Sequence, residues 1–111
     1  MSDTNYIGSV VKILEIPKQK FLANNNAVTE FRVELPQVRN TTIVHLVFWG
    51  NLARDVATYY KINDYILIEG YLSLRDKPTV DLIAQPSKKI KVTVLKVYPF
   101  LLSYDPSAAK S

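Results

Sequence analysis

Side chains able to perform catalysis are few in this chain of 111 residues. The absence of cysteine excludes disulfides, thiolate metal ligands and a cysteine nucleophile. The single histidine, His45, cannot form a histidine cluster, and the chain has no glycine-rich phosphate loop and no credible Ser/His/Asp order. Asp55 and Asp64 are better explained as helix and turn residues. We therefore expect no enzyme activity, no bound metal and no cofactor.

Aromatic and basic side chains offer a different chemistry, which is the binding of a polyanion. The net charge is +4 and favours such a partner only mildly, since ordinary solubility explains the same charge equally well. The only tryptophan, Trp49, ends a segment in which Val44, Leu46 and Phe48 alternate with it. Successive side chains of a strand point to opposite faces, so this spacing separates Trp49 from an apolar face. An aromatic ring placed there can stack on a nucleic-acid base.

Strand signals dominate the elements that must position these residues. Three consecutive asparagines at 24–26 suit a tight turn, which predicts a hairpin between the first two long strands. Apolar residues at helical spacing predict one short helix, with Asn51 as its cap, and Gly70 is expected to mark a bulge. The predicted strands cover residues 6–16, 28–35, 42–49, 65–74 and 90–97, and the predicted helix covers 52–60.

This element order predicts an all-β protein with one short helix, folded as a five-stranded OB-fold barrel. Barrel closure removes exposed strand edges, and a helix between the third and fourth strands is the OB arrangement. We expect one domain over residues 1–104 and a flexible tail over 105–111. No apolar run reaches the length of a membrane helix, and the polar N-terminus does not resemble a targeting leader. The loops that border an OB groove carry lysines and arginines: Lys18, Lys20, Arg75, Lys77, Lys88, Lys89 and Lys91.

Two sequence blocks carry a resemblance to a known family. The first is Phe48-Trp49-Gly50-Asn51-Leu52-Ala53, and the second is the segment 66–72 that follows Tyr60 and Asp64. With the turn at 25–28, they resemble the bacterial single-stranded DNA-binding protein (SSB) family over roughly residues 6–98. The Trp-Gly-Asn-Leu-Ala form is most similar to the short SSB-like proteins of cyanobacteria and plastid genomes. The resemblance implies a plastid or a cyanobacterial cytoplasm as the location.

The resemblance implies an OB fold that binds single strands through aromatic and basic side chains. Trp49 occupies the position of a stacking aromatic, and Phe21 follows a basic residue, Lys20, as an aromatic does in the family's first hairpin. Tyr71, Arg75 and Lys77 occupy outward positions of the fourth strand that the family directs at DNA. Family members also imply a homodimer or homotetramer. The candidate nucleic-acid site is therefore Trp49, Tyr71, Phe21, Lys20, Arg75, Lys77, Lys88, Lys89 and His45, although a lone histidine is more often a half-buried polar residue.

Departures from the family pattern leave two functions open. Ile43 lies where the family has a tryptophan, and Lys77 lies near another such position. The family's acidic C-terminal tip is missing, so recruitment of replication partners by that tip is not expected. The first function is sequence-tolerant binding of single-stranded DNA, which this sequence does not separate from RNA. The second is an OB-fold interaction or scaffolding subunit of a plastid or cyanobacterial complex that has lost DNA binding. For that alternative, Leu95 and Val97 leave the inward register and would form an apolar contact surface.

Overall fold

The computed structural model describes residues 5–36, 41–76 and 88–103. Seven elements follow one another along this part of the chain. They are the strands β1 (Tyr6–Ile13), β2 (Gln19–Phe21), β3 (Ala27–Leu35) and β4 (Thr42–Trp49), the helix α1 (Gly50–Tyr59), and the strands β5 (Tyr65–Asp76) and β6 (Lys88–Leu101).

The strands close into the predicted five-stranded OB-fold barrel. Their hydrogen-bonded order is β1-β5-β6-β4-β3-β2, and β1 closes the ring by pairing with β3 at Lys12–Glu34 and Ile13–Val33. Five of these six pairings are antiparallel, and the pairing of β4 with β6 is parallel. The first predicted strand, 6–16, ends at Ile13 as β1, and the short β2 is an additional strand that pairs with β3 outside the ring of five.

The core is made of the inward side chains of the barrel together with one face of α1. Phe31 and Phe48 stack inside with ring centroids 5.3 Å apart, and Ala53 and Val56 close the barrel from the helix. Thr29, fully buried, donates its hydroxyl to the carbonyl of Ala53 at 2.8 Å and ties the helix to β3. A partly open pocket of about 430 Å³ is lined mostly by apolar side chains of β1, β4, β5 and β6, including Val11, Leu46 and Val92. The alternation predicted for the second and third strands is confirmed, because their apolar members face this core.

The predicted asparagine turn is present between β2 and β3. Asn25 has a φ of 65°, and its amide donates to the carbonyl of Leu22 at 2.8 Å. Asparagine tolerates this left-handed conformation better than most residues, which explains its place in the turn. The hairpin joins β2 to β3, while the longer β1 contacts β3 only at its C-terminal end.

The expectation that Asn51 caps the helix is wrong. The helix begins at Gly50, and the residue that precedes it in extended conformation is Trp49, whose side chain makes no capping hydrogen bond. Gly50 has a φ of 63°, a left-handed conformation that glycine adopts without steric penalty. The chain therefore turns from β4 into α1 within one residue, and Trp49 is left at the corner.

The last strand is longer than the sequence pattern predicted. It begins at Lys88, where a break was expected, and it continues through Pro99 to Leu101 against the start of β5. Register shifts near Gly70 and between Tyr65 and Ile66 absorb the irregular spacing, and the first confirms the predicted bulge. Of the two apolar residues expected to leave the inward register, Leu95 is exposed, whereas Val97 packs against the core.

A buried carboxylate fixes the end of β6 to the turn before β5. Asp64, 1% exposed, accepts hydrogen bonds from the amide of Lys61 at 2.9 Å and from the amide of Ser103 at 2.6 Å. The hydroxyl of Ser103 donates a third bond at 2.8 Å. Hydrogen bonds to a charged acceptor are among the stronger ones, so Asp64 holds the segment after β6 in place. The predicted tail, 105–111, lies outside the described residues.

Candidate nucleic-acid interface

Outward side chains of β2, β3, β4 and the adjoining part of β6 form one surface, which we call the β3–β4 face. Its members are Lys20, Val28, Glu30, Arg32, Ile43, His45, Val47, Trp49 and Lys91. Directly paired residues of neighbouring strands share a face, so the strand register decides which of these side chains lie side by side.

Trp49 and Lys20 lie in the same cross-strand row of the β3–β4 face. Lys20 pairs with Val28, and Val28 pairs with Trp49 on the other side. The Trp49 side chain is 46% exposed, although the neighbouring Phe48 is fully buried. The predicted separation of Trp49 from the apolar face is therefore confirmed, and a basic residue lies two strands away from its ring.

Phe21 lies on the opposite side of the β2–β3 hairpin from Lys20. It pairs with Ala27, whose side chain is buried toward α1, and Phe21 itself is 64% exposed. Adjacent residues of a strand alternate in direction, so Phe21 and Trp49 do not share a row. A nucleic-acid strand that contacts both rings must pass around the edge of the β2–β3 hairpin.

A second cross-strand row contains three groups that can carry positive charge. Arg32 pairs with His45 on β4, and His45 lies beside Lys91 on the parallel strand β6. His45 is half-buried there, as the simpler interpretation of a lone histidine predicted. The row lies on the same face as Trp49 and extends the basic surface across three strands.

Carboxylates pair with two of these cations. Arg32 donates from Nε to Glu15 at 2.9 Å, and its Nη2 lies 2.8 Å from the same carboxylate oxygen. The other oxygen of Glu15 accepts the backbone amide of Arg32 at 2.8 Å. These hydrogen bonds from Arg32 lower the pKa of the Glu15 carboxyl below its ordinary value. Lys91 reaches across β4 to Glu30, with Nζ 3.8 Å from the carboxylate.

An open groove of about 520 Å³ adjoins the β3–β4 face at β2. Its lining contains two lysines, two isoleucines and both carboxylates of the ion pairs just described. They are Glu15, Ile16, Lys18, Lys20, Glu30 and Ile62. The groove is thus mixed in charge rather than uniformly basic.

Tyr71 lies two strands from β4: it pairs with Thr93 on β6, and Thr93 pairs with Val47 of the β3–β4 face. Tyr71 belongs to the outward side of β1, β5 and β6, which we call the β1–β5 face. There its ring meets that of Tyr6 edge to face, with centroids 5.4 Å apart. Tyr6 donates its hydroxyl to Glu69 at 2.6 Å, and this bond raises the pKa of Tyr6 to about 12. Tyr71 therefore has an aromatic partner of its own, two strands from β4.

The remaining basic residues of the predicted site fall at the far end of β5 and β6. Arg75 pairs with Lys89, and Lys88 pairs with Asp76, so the backbone brings three of them together. Lys77 lies outside the described residues. Next to the end of α1, Tyr60 contacts the core and has its pKa raised by burial, whereas Tyr59 is 71% exposed.

Neither a metal-ligand cluster nor a membrane-spanning helix is found among the described residues. Within 5–36, 41–76 and 88–103, no group of three or more acidic or histidine side chains is placed to hold a metal ion. Across those same ranges, no helix combines the length and the apolar character that crossing a bilayer requires.

Comparison with known proteins assigns the family. The single-strand binding protein family matches residues 5–98, which is most of the chain. The chain belongs to the SSB family. SSB-family proteins bind single-stranded DNA and are not enzymes, so the expectation of a non-enzymatic protein is confirmed.

Two curated relatives cover nearly the whole SSB chain. The protein named "Putative single-stranded DNA-binding protein ycf41" from Trieres chinensis is 43% identical over 102 residues, covering 88% of this chain and 90% of its own. The protein of the same name from Porphyra purpurea is 20% identical over 96 residues, covering 86% of each chain.

Solved structures support the OB fold of this SSB chain. The SSB domain of a Synechococcus protein superposes with a TM-score of 0.70 at 22% identity, covering 88% of this chain and 98% of its own. A small single-stranded DNA-binding protein from Streptomyces coelicolor gives a TM-score of 0.72 at 17% identity, covering 86% and 94%.

Sequence reasoning left Arg32, Lys91 and Tyr6 out of the candidate site of this SSB-family protein. The outward direction of Arg32 was readable, because it alternates with Phe31 and Val33. The neighbours of Arg32 on the other strands could not be predicted, because the parallel β4–β6 register brings together residues that are more than forty positions apart. No pattern within a single strand reveals such a row.

Proposed function

We propose that this SSB-family protein binds single-stranded DNA on its β3–β4 face, with little base selectivity. The observation that carries the proposal is the exposed ring of Trp49 in one row with Lys20. Every base has a π-face, so stacking on an aromatic ring tolerates any sequence and contributes about 1–3 kcal/mol per base.

Lysine and arginine side chains supply the phosphate contacts in this proposal. Lys20 and His45 flank the path of a strand that stacks on Trp49. Arg75, Lys88 and Lys89, at the paired ends of β5 and β6, would continue these contacts, and Lys77 is included on the family resemblance alone. Phe21 offers a further ring beside the β2–β3 hairpin. Because each neutralised phosphate releases counterions, affinity should fall steeply as salt rises.

Support for DNA as the ligand comes from the relatives. The two curated relatives carry single-stranded DNA binding in their names, and one of them is 43% identical to this chain. We propose DNA replication as the process in which the protein acts. We propose a plastid or a cyanobacterial cytoplasm as its location, because its relatives include ycf41 and its structural neighbours include a Synechococcus SSB domain. RNA presents the same stacking faces and phosphates and is the competitor to include in every assay.

Fluorescence of Trp49 tests the proposal directly, because the chain has only this tryptophan. We expect an unstructured oligonucleotide to quench it at low salt, since a stacked base contacts the indole. The titration midpoint should move to higher concentration at moderate salt. An unchanged Trp49 signal together with no complex in a mobility assay would contradict the proposal.

A second candidate function is favoured by the β1–β5 face. Its exposed apolar side chains include Tyr6, Tyr71, Tyr98 and Leu101. Large exposed apolar patches mark interaction surfaces. We propose that this face holds the protein in a homodimer or homotetramer. If DNA binding is absent, the same face supports a scaffolding role in a plastid or cyanobacterial complex.

Replacing Tyr71 by lysine tests the assembly. A lysine buried at an apolar interface without a partner is strongly unfavourable, so Tyr71→Lys should raise the dissociation constant of the assembly at least about tenfold. Sedimentation velocity over a range of protein concentrations measures it. Tyr59→Lys is the matched control, because Tyr59 is exposed on α1. If both variants sediment as the unmodified protein does, the β1–β5 face is not the interface.

A further inference from the structure

The two residues that flank His45 in its cross-strand row, Arg32 and Lys91, are already engaged by carboxylates of the same chain. Arg32 is held by Glu15 through two nitrogens and its own backbone amide, and Lys91 is held by Glu30 across β4. Both carboxylates also line the groove that contains Lys18 and Lys20. A nucleic-acid strand lying beside Trp49 therefore meets negative charge where unpaired cations would otherwise contact phosphate.

We infer that Glu15 and Glu30 are affinity-determining residues that compete with phosphate for Arg32 and Lys91. The inference rests on the proposed function, since it concerns the same face. A phosphate that takes the Nε and Nη2 donors of Arg32 must displace Glu15, and the displaced carboxylate then remains close enough to repel it. The internal ion pairs thus lower the affinity for the backbone and leave base stacking on Trp49 as the larger share of binding.

The geometry of the two pairs predicts unequal effects. Two nitrogens of Arg32 contact the Glu15 carboxylate, at 2.8 and 2.9 Å, whereas a single contact of 3.8 Å joins Lys91 Nζ to Glu30. Charge-assisted, two-point contacts of arginine are stronger and better oriented than a single lysine contact. Neutralising Glu15 should therefore raise the affinity for the oligonucleotide more than neutralising Glu30.

The experiment is a double-mutant cycle on Glu15 and Arg32, with affinity for a fluorescently labelled oligonucleotide as the readout. Glu15→Gln keeps an oxygen that accepts the Arg32 amide, so the strand connection is preserved. We expect Glu15→Gln to tighten binding about fivefold, in the range of an exposed ion pair, and to steepen the salt slope by about 0.7 for one added phosphate contact. In an Arg32→Gln background the same change should have a much smaller effect, because no cation is left to release.

Asp55→Asn is the matched control, because it changes the charge by the same amount on the exposed side of α1. If Glu15→Gln gains no more affinity than Asp55→Asn, or gains equally with Arg32 absent, the carboxylate acts only through net charge and the inference is overturned. If the inference is overturned but the unmodified protein binds the oligonucleotide, the proposed function remains intact. If the unmodified protein, the Glu15→Gln variant and the Glu30→Gln variant all fail to bind, both proposals fail together. Binding that appears only after Glu15 or Glu30 is neutralised supports the inference.

Discussion

Replacing Gly70 by alanine should destabilise the barrel by about 3 kcal/mol or more, because overpacking against backbone is relieved only by moving a strand. A Cβ at this position would overlap the carbonyl oxygen of Thr93 and would lie 2.9 Å from both the Thr93 carbonyl carbon and the Val94 Cα. These are backbone atoms of β6 at the register shift, so no side-chain rotation relieves the clash. Urea unfolding followed by circular dichroism measures the loss, with a fall in Tm of roughly 10 °C or more.

Gly8 is the matched control for this prediction. It lies on β1 beside the same strand β5, but a Cβ there would have ordinary contacts of 3.7 Å with the Glu69 side chain and 3.8 Å with the Ile68 carbonyl. Gly8→Ala should change the free energy of unfolding by less than about 1 kcal/mol, and the reduced freedom of the unfolded chain makes a small gain the expected direction. Equal losses of unfolding free energy at Gly70 and Gly8 would show that the close approach of the β6 backbone to Gly70 does not require a glycine there.

Phe48→Ala and Trp49→Ala should separate folding from binding at two adjacent aromatic residues. Phe48 is fully buried and stacks on Phe31 at 5.3 Å, so its removal leaves a cavity and should reduce the free energy of unfolding by about 3–5 kcal/mol. That loss is a large fraction of the stability of a typical small domain. Urea unfolding at 25 °C, followed by circular dichroism, measures it.

Trp49→Ala is expected to behave in the opposite way. Its side chain is 46% exposed and makes no capping bond, so stability should change by about 1 kcal/mol or less. Loss of the stacking ring should weaken oligonucleotide binding roughly fivefold to a hundredfold. A labelled oligonucleotide replaces the lost tryptophan signal in this assay. A Trp49→Ala variant that unfolds like Phe48→Ala would place the indole in the core and remove the basis of the stacking proposal.

Local pattern was enough to predict much of the fold. The alternation around Phe31, the asparagine turn at Asn25 and the short helix after Trp49 all follow from the period of apolar residues and from turn chemistry, which act over a few neighbouring positions. The outward direction of Trp49 follows from the same alternation. The helix cap was mispredicted because the left-handed Gly50 makes the turn in one residue, so a favourable cap at Asn51 was not used.

Long-range register decided the rest. The sequence by itself determined an OB-type barrel with an exposed tryptophan at the end of β4, because period-two alternation and punctuation by glycine and asparagine are local properties. Only the tertiary structure brought Arg32, His45 and Lys91 into one row and paired two of them with Glu15 and Glu30. It also gave Tyr71 the partner Tyr6 on β1. A shift of one residue between strands would move each of these side chains to the opposite face, and such registers are set by the closure of the whole barrel.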